Sequence, residues 1–153
     1  MKLNYKVLIA CLVIVYAIAF IGSLFTSPVT GSQWYLENKP SITPPNYVFP
    51  IVWNILFFLI ALSLYFAWIN SNKEQKKKVA VIFGLNLILN ASWSFLFFKL
   101  QQPLWAFIDL LLILATIIIM IFMTYPINKK SGWLLVPYLV WVGFAGVLNW
   151  LWI

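Results

Sequence analysis

Five long runs of apolar residues, separated by polar connections, account for most of the 153-residue chain: roughly Tyr5–Phe25, Tyr47–Ile69, Val79–Phe98, Leu104–Tyr125 and Trp133–Ile153. About 20 apolar residues are needed for a helix to cross a hydrocarbon core of about 30 Å, and each run has that length. The pattern predicts an all-α membrane protein, a bundle of five transmembrane helices. The connections are too short to build a core of their own, so residues 1–153 read as one integral membrane domain. Short connections also make consecutive helices antiparallel neighbours. The first run follows Lys2 and Lys6 and contains Ala17-Ile18-Ala19, the outline of a secretory signal. It continues through Ile21, Leu24 and Phe25, beyond the roughly 7–15 apolar residues of a signal core, and is expected to remain as a span.

The connection between the first two runs is longer and chemically distinct. It reads Trp34-Tyr35-Leu36-Glu37-Asn38-Lys39-Pro40-Ser41-Ile42-Thr43-Pro44-Pro45 and leads to Trp53. Proline fixes its own φ and biases its predecessor away from the helical region, so Pro40, Pro44 and Pro45 should hold this loop extended. Pro28 and Gly31 end the first helix, and Pro50 falls in the first turns of the second, where a missing amide donor costs little. A stiff, aromatic-rich loop over a helical bundle is expected to act as a lid.

At about 100° per residue, Asn86, Asn90, Trp93 and Phe97 share one stripe of the third span. Trp53, Phe57 and Leu64 align on the second, beside Pro50, and Trp141, Ala145, Leu148 and Trp152 on the fifth. An amide in hydrocarbon must find a hydrogen-bond partner, so both asparagines should point into the bundle. Two readings remain open. The asparagines can simply hold helices together, and Trp53 and Trp141 can belong to an interfacial aromatic belt. Alternatively, Ala145 one turn from Trp141 leaves a notch beside a large ring, as in a mostly apolar pocket with few polar anchors. Asp109, about one turn into the fourth span, needs a partner such as a backbone amide, a lysine or Trp105, and reads as structural more readily than functional. Ala80, Gly84 and Ala91 form a small-residue stripe about 130° round the third helix. Such a stripe permits close backbone approach, either in a homodimer or against a helix of the same chain.

Composition removes several function classes. Hydrophobic residues make up 64% and charged residues 8% of the chain, far from the roughly one-quarter charged share of soluble domains. The net charge of +7 therefore describes topology rather than affinity for nucleic acid. Lys2, Lys6, Lys73, Lys76, Lys77, Lys78, Lys129 and Lys130 fall on one side of a five-span fold, with only Lys39 and Lys99 opposite. The positive-inside rule then puts the N-terminus in the cytoplasm of a cell membrane; the Lys76-Lys77-Lys78 run can also hold anionic lipid. With no histidine, one cysteine (Cys11) and three acids, the chain offers no Ser-His-Asp set, metal cluster or axial-histidine haem site. No resident cofactor is expected.

Several runs together resemble the TspO/MBR family of tryptophan-rich sensory and translocator proteins. They are Trp34 through Lys39-Pro40-Ser41, Pro44-Pro45 and Pro50-Ile51-Val52-Trp53; Leu89-Asn90-Ala91-Ser92-Trp93 to Phe97-Phe98; Trp105 to Leu112; and Pro137-Tyr138-Leu139-Val140-Trp141 through Phe144-Ala145 to Leu148-Asn149. The resemblance implies a five-helix bundle, often dimeric, whose first loop caps a pocket for porphyrins. By position, it implies a lining of Trp53, Phe57, Asn90, Trp93, Trp141, Ala145 and Leu148 under a lid containing Tyr35, Pro44 and Pro45. It also implies that Trp53 and Trp141 are the residues of any light-dependent breakdown of protoporphyrin. The chain departs from the mammalian cholesterol motif, since its end, Asn149-Trp150-Leu151-Trp152-Ile153, lacks a tyrosine followed by a basic residue.

The favoured expectation is a membrane receptor or sensor that binds porphyrins and related apolar aromatic ligands in an intramembrane pocket. An enzyme is the alternative, and with no acid–base pair its chemistry would have to be photochemical. A porphyrin or sterol transporter is the least supported, because transport of a charged substrate usually leaves ionisable residues within spans, and only Asp109 qualifies.

Overall fold

The computed structural model describes residues 3–153; Lys2, counted above for orientation, lies outside the described residues. Helices α1 (Tyr5–Thr26), α3 (Val48–Asn70), α4 (Lys73–Ser94), α5 (Pro103–Thr124) and the consecutive pair α6 (Lys129–Leu134) and α7 (Val136–Trp150) form the bundle, with a short α2 (Gln33–Asn38) between α1 and α3. Five helical segments are long and apolar enough to cross a membrane, and the protein is a multi-pass integral membrane protein. In hydrocarbon each backbone amide must be satisfied within its own segment, which is why the five runs become helices.

Three boundaries differ from the sequence expectation. The third helix starts at Lys73 rather than Val79, because Asn72 and Gln75 close a reciprocal capping box and Glu74 sits in the positively polarised first turn. Its last turn, Phe95–Lys99, widens into a π-turn. The fifth span is two helices, broken at Leu135 where Pro137 starts α7 without an amide to donate. Just before the break, a Cβ on Gly132 would stand 2.9 Å from the Tyr125 side chain and 3.1 Å from its Cα, so only glycine fits. The proline-rich connection is not extended throughout, since Ser32 caps α2 through the Tyr35 amide.

Two hydrogen-bond chains tie α4, α5 and α7 together. In the first, Asn90 Nδ2 donates to Tyr138 Oη (3.0 Å), and Tyr138 donates to Asn86 Oδ1 (3.1 Å). Asn86 Nδ2 then donates to Thr116 Oγ1 (2.8 Å), which donates to the Ile113 carbonyl. In the second, Trp93 Nε1 donates to Asn149 Oδ1 and Asn149 Nδ2 to the Pro103 carbonyl, both at 2.9 Å. At the lysine-rich end, Ser63 and Ser131 hydroxyls each donate to the other's carbonyl, at 2.9 and 2.7 Å, fastening α3 to α6. Helix α1 is the least buried span; it is held to α3 by the Tyr16 hydroxyl donating to the Asn54 carbonyl at 3.0 Å.

Tyr138→Phe would leave a buried amide oxygen on Asn86 without its donor. The expected loss is about 1–2 kcal/mol, read as a lower unfolding midpoint in mixed micelles. Tyr5→Phe, on an exposed ring, should leave that midpoint in place.

Candidate functional site

A cavity of about 290 Å³ opens at the end of the bundle opposite the lysine-rich one. Of the residues singled out from sequence, Tyr35, Trp53, Phe57, Asn90, Trp93, Trp141, Ala145 and Leu148 all line it. Trp53 and Trp141 are both partly buried and present surface to the interior rather than to lipid alone. Pro44 and Pro45 do not line it. Their neighbours Thr43 and Asn46 do, while the Pro45 carbonyl is spent on the Val48 amide at the entry to α3.

One wall was not read from the sequence. Ala19, Gly22, Ser23 and Thr26 of α1 face the cavity, and their spacing of three, four and seven residues from Ala19 marks one helix face. That run of small and hydroxylated residues ending a very apolar span was the available signal. Ser94, Phe98, Asn149 and Trp152 complete the walls from α4, its π-turn and the end of α7.

The rings form two tiers. In the inner one, Trp53 packs on Phe57 (5.4 Å between centroids) and edge-on to Tyr138 (6.2 Å), and Trp141 meets Phe49 edge-on at 5.9 Å. Nearer the mouth, Trp93 stacks on Phe97 at 5.1 Å, and Trp34 and Tyr35 of α2 lie 4.8 and 5.7 Å from Trp152. Asn46 fastens the far end of the connection by donating to the Thr30 carbonyl at 3.1 Å. Burial pushes the Tyr35 phenol up from its ordinary value of 10.0.

Polar atoms here fall into two groups. Asn90, Trp93 and Asn149 are engaged in the chains described above. Trp141 Nε1 and Thr43 Oγ1, atoms of two lining residues, are themselves buried, with no hydrogen-bond partner among the described residues. The asparagine question resolves by residue: Asn86 joins helices away from the cavity, whereas Asn90 joins helices and lines it. Asp109 lies outside the lining, buried, with Oδ2 unpartnered; Trp105 is exposed and bonds nothing there. Among the described residues no group of His, Cys, Asp and Glu is placed to hold a metal ion.

Ala80, Gly84 and Ala91 are also outside the cavity. Ala80 and Gly84 border a separate groove, and a Cβ on Gly84 would meet nothing within 4 Å. Close packing against a helix of the same chain therefore does not occur at Gly84.

The family model that matches residues 10–152 is that of the TspO/MBR family. The chain belongs to the TspO/MBR family. It is 39% identical to the tryptophan-rich protein TspO of Archaeoglobus fulgidus over 147 residues, covering 96% of this chain and 95% of the relative. It is 38% identical to TspO of Chlorobaculum tepidum, covering 91% and 89%. The translocator protein of Homo sapiens is 34% identical, with 85% of this chain and 78% of that protein covered. Full-length similarity of this kind makes the chain a TspO/MBR protein of the membrane sensory and translocator type.

Tyr35 gives a pH test of how the connection packs. Its neutral phenol is favoured by folding, so stability should be flat below pH about 10 and fall as pH rises above it. The difference between native protein and Tyr35→Phe in alkaline thermal melts isolates this contribution. Identical pH profiles would mean that the Tyr35 ring is not buried at the mouth.

Proposed function

We propose that this TspO/MBR protein is a membrane receptor or sensor whose cavity takes a porphyrin such as protoporphyrin, with residues 30–46 as its lid. The observation that carries this reading is the cavity itself, mostly apolar and walled by Trp53, Trp93 and Trp141 with Asn90 among its few polar groups. Trp141 Nε1 is buried and unpaired beside this space, and a ligand whose entry turns the indole onto a peripheral acceptor would make a hydrogen bond that is costly to leave unmade. Flat π surface suits Trp53, Trp93 and Trp141, while Lys39 in the lid has the charge to pair with a propionate. The cavity, at about 290 Å³, lies just below the roughly 300–1,000 Å³ of ligand sites. Residues 30–46 must therefore move outward to admit a macrocycle. The lysine distribution supports an N-terminus in the cytoplasm of a cell membrane, which puts the mouth outside.

Titrating protoporphyrin into purified protein should quench tryptophan fluorescence. Trp53→Phe with Trp141→Phe keeps a ring at each position but reduces its stacking area, and should weaken affinity about tenfold, roughly 0.7 kcal/mol per position. An unchanged affinity would take the site away from α3 and α7. The two indoles lining one cavity also favour a second reading, photo-oxidation of bound porphyrin with indole as electron donor and dioxygen as oxidant. Loss of the Soret band only in light, and only with both tryptophans, would support turnover. Bleaching at the rate of free porphyrin would dismiss it.

A further inference from the structure

A second opening of about 400 Å³ lies on the outer surface of the bundle, between the first half of α1, the end of α3 and the start of α4. Its walls are apolar except at one end. Ala10, Cys11 and Ile14 face Phe83, Gly84 and Leu87 across it, and Lys6 and Trp68 stand at its lysine-rich end. Lys76 Nζ lies 5.7 Å from the centre of the Trp68 ring, so a second ammonium is held beside Lys6's end of the groove. Lys73 and Lys77, seven and three residues before Ala80, fall near the same face of α4.

We infer that this groove binds one anionic phospholipid, a single acyl chain lying along Gly84 and the headgroup phosphate held by Lys6 and Lys76. Depth fits: from Lys6 to Ile14 is eight residues, about 12 Å of helix, close to the roughly 15 Å of one leaflet. Shape fits, because Gly84 leaves room that no side chain among the described residues fills. Charge fits as well, since the chain itself brings no anion there. Glu74, six residues before Ala80, falls about 120° round α4, Glu37 is on α2, and Asp109 is buried in α5. A second copy is the poorer occupant. A two-fold contact through one face sets that face against itself, which would bring Lys6 and Lys76 towards the same lysines of the other copy.

Native mass spectrometry of the full chain in detergent tests this with phosphatidylglycerol and phosphatidylcholine carrying identical acyl chains. One phosphatidylglycerol should be retained per chain where phosphatidylcholine is stripped. Lys6→Gln with Lys76→Gln should weaken phosphatidylglycerol binding about 30-fold, the scale of two juxtamembrane lysines. Gly84→Leu fills open space, so it should abolish retention while the thermal midpoint stays unchanged. Equal retention of both lipids, or undiminished phosphatidylglycerol binding in either variant, would overturn the assignment. A dimer that Gly84→Leu converts to monomer, with lipid retention unaltered, would give the groove to a second copy instead.

Discussion

Polar atoms carried into hydrocarbon constrain this protein more tightly than its many apolar contacts do. A helix of leucine and isoleucine can rotate in a bilayer at little cost, because lipid tails are as apolar as its neighbours. Helix α4 cannot. Asn86 and Asn90 must both reach partners, and the Tyr138 hydroxyl serves the two together, accepting from one amide and donating to the other. Thr116 closes the chain on α5. The second chain, Trp93 to Asn149 to Pro103, fixes the same three helices again, one to two turns further along α4 and three turns or more away on α5 and α7. Chains of this kind strengthen link by link when each member is satisfied.

The cavity follows from that fixed rotation. Once Asn90 is turned to Tyr138, the neighbouring positions Trp93 and Phe97 are aimed at the space between α3 and α7. Trp141, Ala145 and Leu148 reach it because Tyr138, on the same helix, is already committed inward. Ala145 keeps the space open, and α1, loosely held, closes the remaining side with small residues. What results is a largely apolar chamber in which Asn90, Trp93 and Asn149 are already bonded between helices.

Much of this was legible in the residues, for a physical reason. Spans of this length have one stable backbone form in lipid, so hydropathy alone indicated five helices. Amides and tryptophans at helical spacing then marked the inward faces of α3, α4 and α7. Other features were hidden because they depend on atoms distant in sequence. That Tyr138 joins Asn86 to Asn90 requires knowing how α7 lies on α4. The α1 wall lacked aromatic or amide markers, and Gly22, Ser23 and Thr26 read as ordinary residues at a helix end. The break at Leu135 and the early start at Lys73 turn on local capping and on proline, which hydropathy does not register. Pro44 and Pro45 stiffen the connection without touching the cavity, a distinction between shaping and lining that residue type does not reveal.

The central claim is that these chains aim indole faces at a shared chamber that receives a flat ligand. A structure of the protein with protoporphyrin bound tests it most directly. The macrocycle should lie between Trp53 and Trp141, with the Trp141 indole turned so that Nε1 meets an acceptor, and with residues 30–46 displaced outward and both hydrogen-bond chains intact. A macrocycle resting on the lipid-facing surface, with the chamber still closed, would contradict it.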